Sequence, residues 1–579
     1  MAAPAPVARS ETLGRISAAT HMLAKMRLSV DRLHKCEVDP ELLRGISMMT
    51  LLRSDTFQGH DLAGKTFDDN AAHRLYACSR PTGQLDLFVS HSWRASSSGK
   101  WLALNVRMNG STAAVASVVV AGALAAARRQ GLLPAGGGYR DEHLDERLEF
   151  GVPYALLGGL GAFAFCLFFA HRVGCVREQS AFCDKMCVHQ TDAYKKQAAI
   201  DSFSGFIGKS REMVVLWSPE YFRRLWCTFE IASFLHIQRN NPDAKLTILP
   251  LLLNDVMLVS FCCLLVYCLL VVALLASGAW DGVERSLGSR AGEALVLCGL
   301  AFVPLTWLAA AARAYARDRD AALDDLERFS IRDAGVFLES DRDVVTEVIN
   351  KWFVVESEDG AAPPEGRAMD FFDRSVRGFV RNRVARSLGV RTAGGGRCAR
   401  NRPLPYARGV LASFPAFWLG LDYLASLRPA PARLQLSLAI PCVVTVPFLL
   451  LPTLAFLVFA VSGATRPPTK KLGQVAPLDS SGSFSRSRRR AKSAAEFVKA
   501  EALVFADPVN VALGGGFTAL GVALGTSVSA AAYVAPPYGS VVALAACGAA
   551  TAAVYGESRS DAAAEDRAAL ADAHDKCSI

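Results

Sequence analysis

The apolar residues of this chain fall mostly in long unbroken runs, and only a few stretches show the short periods of a soluble fold. A helix that crosses the hydrocarbon of a bilayer needs about 20 mainly apolar residues. The runs at 152–170, 256–277, 294–315 and 434–462 meet this well, and 410–427 and 509–534 follow closely. Two more are weaker: 541–555 is short and Ala-rich, and 112–127 is mostly Ala and Val. Together they predict about eight spans. Ionisable residues are nearly absent from their interiors. Asp422 lies inside one run but toward its end, and His171, Arg172, Asp255, Arg313 and Asp507 sit at run ends. A conducting pathway would place such groups at mid-depth. The Gly-rich stretch 514–525 instead favours close helix packing. An anchor or helix bundle is therefore expected in preference to a pore.

Three stretches stand apart from these runs. From Leu85 to Ser90 a short apolar segment ends in polar residues, as a buried parallel strand does where it meets a loop. A second short strand is predicted to end near Asp184. A third, 213–218, leads into a helix, with Ser218 as its N-cap and Pro219 in the first turn. That helix presents Leu225, Phe229, Ala232 and Leu235 on one face, so it is expected to cover a sheet. The run 245–253 is a further strand-like segment. Downstream, Val344, Val345, Val348, Ile349, Trp352 and Phe353 form an apolar helical stripe, expected to dock on the membrane face or on the sheet domain.

Charge refines the topology. The chain has 579 residues, 51% apolar and 20% charged, with a net charge of +9. The stretch 374–408 holds ten arginines and no acid, and Arg486, Arg488, Arg489, Arg490 and Lys492 form a second basic cluster. Basic connections stay on the cytoplasmic side. With eight spans, both clusters share a side with both termini, so both termini are expected to be cytosolic. The basic runs are read as topology and attraction to anionic lipid, and no nucleic-acid partner is expected. Fifteen cysteines occur, many inside the apolar runs and none in a CxxC pair, so a secreted disulfide scaffold is not indicated.

The pieces Asp86-Leu-Phe-Val-Ser-His-Ser-Trp93, Lys100-Trp101, Asp184 to Gln190 and Ser218 to Glu230 occur in this order. In that order they resemble a Toll/interleukin-1 receptor (TIR) domain, and more closely the multi-pass membrane TIR-like proteins of algae and protists. The resemblance covers about residues 80–255. His189 departs from it, standing where the pattern has an acid. It implies an α/β flavodoxin-like, TIR-type cytosolic domain with a parallel sheet, joined to a multi-pass helical membrane region of about eight spans. The expected order is 1–80, an N-terminal cytosolic region, partly helical or disordered; 81–255, the TIR-like domain, interrupted by a membrane hairpin (112–127 and 152–170); and 256–316, a transmembrane hairpin. Then follow 317–408, a helical and basic region; 409–462, a hairpin; 463–508, a basic Ser/Arg-rich linker; 509–555, a hairpin; and 556–579, a cytosolic tail.

TIR domains are either scaffolds that assemble with one another or enzymes that cleave NAD+ at the nicotinamide–ribose bond. The catalytic glutamate of the latter matches Glu230. A carboxylate there would stabilise the ribosyl cation left when nicotinamide departs. Ser90, His91 and Trp93 would lie where the nucleotide binds, Trp93 or Trp226 would stack on a ring, and Lys185 would meet a phosphate. Each has a structural alternative: Glu230 paired with Arg223 or Arg224, Trp226 and Cys227 in the core, Asp86 and Asp184 as caps or ion-pair partners. No metal is expected; Cys183, Cys187 and His189 have the spacing of no common zinc site. No cofactor is required, and NAD+ enters as a substrate. The expected function is a membrane-anchored TIR-like signalling protein that self-assembles or meets other TIR-like domains, with NAD+ hydrolysis as an added activity. A transporter or channel regulated by that domain, and a non-enzymatic interaction scaffold, are the alternatives.

Overall fold

The computed structural model describes residues 38–54, 69–134, 139–141, 146–148, 151–174, 177–238, 241, 244–277, 289–336, 339–356, 367–388 and 406–427, with a few isolated positions beyond. The expected spans 434–462, 509–534 and 541–555 lie outside these residues, apart from such isolated positions. So do the basic cluster at 486–492 and the tail. The chain divides into two units, one of residues 1–101, 177–250 and 321–387, the other of 102–176, 251–320 and 388–579.

The first unit is built on a six-stranded sheet. Its strands are β1 (Arg44–Ser47), β2 (Arg80–Pro81), β3 (Leu85–His91), β6 (Ser180–Phe182), β7 (Ser210–Trp217) and β8 (Lys245–Pro250). A separate two-stranded ribbon, β4 (Tyr139–Asp141) with β5 (Glu146–Leu148), belongs to the second unit. The sheet order is β2-β1-β6-β3-β7-β8. The four strands β6, β3, β7 and β8 pair in parallel, whereas β1 runs antiparallel to both β6 and β2. The sheet is therefore mixed and mostly parallel rather than wholly parallel. Residues 44–47, assigned from sequence to the N-terminal region, extend it by one antiparallel strand. The outer strand β2 is two residues long and ends in Pro81, which blunts an open edge.

Counted along the chain, the parallel strands stand in the order second, first, third, fourth. That is the start of a flavodoxin-type sheet, whose ligand crevice opens at the carboxyl ends beside the first strand. The central strands β3 and β7 are buried along almost their whole length, which explains their continuous apolar sequence. Asp86 pins β3 to β6: its carboxylate accepts the Ser180 amide at 2.9 Å.

The helix after β7 begins later than the sequence indicates. Ser218 is not its N-cap. Ser218 to Glu220 form a turn, Tyr221–Arg223 is a short 3-10 helix, and the α-helix runs Leu225–Ile237 with Arg224 as N-cap. Leu225, Phe229, Ala232 and Leu235 are buried as expected. So are Ile231 and Phe234 on the other side. The residues 321–387 belong to the same unit, and 376–380 contact this helix. Val345, Val348 and Ile349 of the predicted stripe are buried in it.

The second unit is helical. Four helices are long and apolar enough to cross a membrane: Ser97–Arg129, Tyr154–Arg172, Leu251–Leu274 and Gly299–Glu327. Three coincide with predicted runs. The fourth absorbs 112–127, read from sequence as a short separate run, into one uninterrupted 33-residue helix, Ser97–Arg129. Single glycines at 110 and 122 cost a helix only about 1 kcal/mol each and do not end it. A shorter apolar helix, Val410–Ser426, falls on another predicted run. Phe163, Phe261, Phe414 and Trp418 interlock at ring separations of 5.2–5.9 Å and form the core of this unit. Gly159 is required there, because a Cβ at this position would sit 2.7 Å from the fully buried Trp418 ring. Gly159→Val is expected to cost about 1–3 kcal/mol by overpacking. Unfolding temperatures in detergent should show the double variant Gly159→Val/Trp418→Leu less destabilised than the two single changes added together; strict additivity would refute the contact.

Candidate functional site

The parallel register sets the carboxyl ends of β3, β6 and β7 along one edge, with Ser90 opposite Val215 and His91 opposite Leu216. The residues that follow converge there. Ser90 Oγ donates to Glu230 Oε2 of the Leu225–Ile237 helix and also meets Tyr221 Oη. A hydroxyl has one proton, so Tyr221 donates to Ser90 and Ser90 to Glu230. Ser90 and Tyr221 are buried and Glu230 is partly so. Of the two neighbouring arginines, Arg224 acts on Glu230 through its charge. Arg223 Nε binds Asp325 at 2.8 Å, and Arg224 Nη1 donates to Ser92 Oγ at 3.3 Å.

A second cluster adjoins the first. The Trp93 indole N–H donates to Asp184 Oδ2 at 2.5 Å, and the Lys185 amide donates to Asp184 Oδ1 at 2.7 Å. His91 Nε2 lies 3.7 Å from Asp184 Oδ1, and Lys185 Nζ lies 5.4 Å from the centre of the Trp93 ring. Lys100 and Lys185 are both buried.

Burial governs the protonation of this site. It lifts the Glu230 carboxyl to about 8; the Ser90 hydrogen bond opposes the rise, and the Asp184 charge adds to it. Burial likewise lowers His91 to about 3, partly offset by Asp184 and reinforced by Lys100 and Lys185. At neutral pH Glu230 thus holds a proton and His91 does not. Tyr221 and Cys227 are pushed up, again by burial first, so neither is an anion.

The structure brings together Ser90, His91, Trp93, Lys185 and Glu230. Trp226 is held elsewhere on the helix: its indole N–H donates to Asp341 at 3.0 Å, and its ring meets Phe203 and Phe229 edge-on. Sequence reasoning missed Tyr221 and Lys100 as members of the site, although both lie in the quoted motifs. Asp184, read as a structural group, organises the second cluster. His189 is buried and accepts the Asp192 amide on Nδ1 at 3.1 Å, a turn-forming role.

Among the described residues, His91, Cys183 and Asp184 bring three metal-ligating atoms within 4.8 Å of one another. The set suits a dication poorly. Both Asp184 oxygens already accept hydrogen bonds, burial holds the Cys183 thiol protonated, and two lysine charges act on His91.

Sheet order and site together define an α/β domain with its crevice at a topological switch point. A family model for the TIR domain matches residues 165–255, so the chain contains a TIR domain. No curated protein and no solved structure matches the chain. The matched span starts after β3, and the helices at 97–172 separate β1, β2 and β3 from β6, β7 and β8 in sequence.

Glu230 binds its proton more tightly when folded, about 8 against 4.5, so its contribution to stability falls as pH rises from 4.5 to 8. One proton supplies at most about 1.4 kcal/mol per pH unit. The stability of the wild type minus that of Glu230→Gln is therefore expected to decline across pH 4.5–8. Thermal unfolding of the detergent-solubilised chain at a series of pH values measures this, and a level difference would mean that Glu230 is not held neutral by burial.

Proposed function

We propose that this protein is a membrane-anchored TIR-like signalling protein whose domain acts by self-assembly and cleaves NAD+ at the Glu230 site. The TIR domain supports a signalling or scaffold role, and its kind generally self-associates or binds other TIR domains. The apolar helices are compatible with membrane anchoring. In the proposed arrangement about eight spans place both termini in the cytosol. The apolar core around Phe163 and Trp418 favours an anchor over a channel or transporter.

The observation that carries the enzymatic reading is Glu230 bonded to Ser90 at the carboxyl end of β3. In NAD+ cleavage the C1′–N bond breaks, nicotinamide leaves with the electron pair, and water adds to the ribosyl cation with loss of a proton. The cationic nicotinamide ring entering beside Glu230 would favour its ionised form. The carboxylate would then face the cation that forms on the ribose. Ser90, held by Tyr221, fixes the direction of that carboxylate. Trp93 supplies a ring face, and Lys185 a charge for the pyrophosphate.

Nicotinamide release from NAD+ by the protein in membranes, clustered through an added tag, tests this. Glu230→Ala is expected to lower release at least about 100-fold, in the range typical of a lost charged catalytic group. Equal release from both would remove Glu230 from the chemistry. No release from folded, clustered wild type would leave the scaffold as the function.

A further inference from the structure

The helices Ser97–Arg129 and Tyr154–Phe169 run antiparallel and are clasped at two levels by buried polar groups. At one level Asn109 Nδ2 donates to the Leu167 carbonyl at 2.8 Å and to Asn105 Oδ1 at 3.1 Å, and lies 3.1 Å from His171 Nδ1. At the other, Asp422 accepts the Ala155 and Leu156 amides at 3.0 and 2.8 Å and so caps the second helix. Arg128 Nη1 stands 3.7 Å from Asp422 and donates to the Val152 carbonyl at 3.2 Å. Asn105, Asn109, His171, Arg128 and Asp422 are all buried.

Asn109 and Arg128 are nineteen positions apart on one continuous helix. At about 1.5 Å per residue that is about 28 Å, close to the roughly 30 Å of a bilayer's hydrocarbon. Residues 110–127 and 153–170 carry no charge. Arg107 and Arg172 lie beyond the first level, and Arg129 beyond the second. Between the levels, large apolar side chains point outward: Val115 is 65% exposed, Val119 63% and Phe165 53%. In water such a surface would be costly. The Asn105, Asn109, Arg128 and His171 side chains are instead gathered toward its two ends and buried.

We propose that this hairpin crosses the bilayer completely, with acyl chains against Val115, Val119, Leu157 and Phe165 and the two clasps at the two membrane interfaces. The inference rests on the membrane-anchored reading and deepens it, by naming the faces of the hairpin that meet lipid and the groups that hold its two ends. It makes the weakest span of the sequence a true crossing, and it places the connection 130–151 on the side of the membrane opposite to the TIR domain.

A protease recognition sequence with Gly-Ser spacers, inserted after Gly137 in one full-length variant and after Asn240 in another, tests it in sealed membrane vesicles. Exactly opposite behaviour is not needed in a set direction: one site should be cut in intact vesicles and the other only after detergent, whichever way the vesicles face. Both sites cut, or both protected, in intact vesicles would overturn the crossing while leaving the protein a membrane protein. Release of the chain from the vesicles by alkaline carbonate would overturn the anchored reading itself.

Discussion

Strands β3 and β6 pair side by side in parallel, and a parallel pair obliges the chain between them to cross over and return. A single helix usually does this. Here the connection holds two long apolar helices and a two-stranded ribbon. Loop closure costs only about 0.6 kcal/mol for each doubling of length. A connection several times the usual length is thus affordable if its ends meet. The Asn109 contacts with Leu167 and His171 bring them nearer, since they join the first half of one helix to the end of the other. The sheet is in this way compatible with a hairpin of membrane character inserted into its first crossover.

The parallel register sets the electrostatics of the site. Ser90 and His91 end β3, Asp184 follows β6, and Glu230 arrives on the helix after β7. None of the three elements leaves the crevice open enough to solvate two charges freely. Burial therefore neutralises both Glu230 and His91 at neutral pH. Asp184 keeps its place through the Trp93 indole and the Lys185 amide. What results is a crevice with buried lysines and a carboxyl group that a cationic ligand would ionise.

The parts of this arrangement legible in the sequence are those that leave a run or a motif. β3 and β7 are buried on both faces, so they read as continuous apolar segments. β1 is four residues, Arg-Gly-Ile-Ser, with no periodicity to betray it. The helix start was set too early because Ser218 and Pro219 imitate a capped terminus, while the real first turn depends on a distant loop: Gly335 accepts the Leu225 amide and donates to the Arg223 carbonyl. The meeting of Ser90 with Glu230, 140 positions apart, follows from sheet register rather than from local pattern. Only the resemblance of the motifs made it foreseeable.

That distant loop also decides where the domain ends. Helix Leu225–Ile237 is buried on more than the one face that meets the sheet, which a helix at the surface of a sheet would not be. Residues 376–380 contact it, and its first turn is tied by Gly335, by Asp325 on Arg223 and by Asp341 on Trp226. The loop that does this is itself fastened, with Asp373 accepting the Ile331 amide and Arg377 donating to the Phe329 carbonyl. A TIR domain cut at residue 255, where the family match stops, would lose these contacts and leave the Trp226 indole without its acceptor. The physical domain therefore extends through residue 387. The helix Ser289–Glu327, which carries Asp325 near its end, also contains a candidate span.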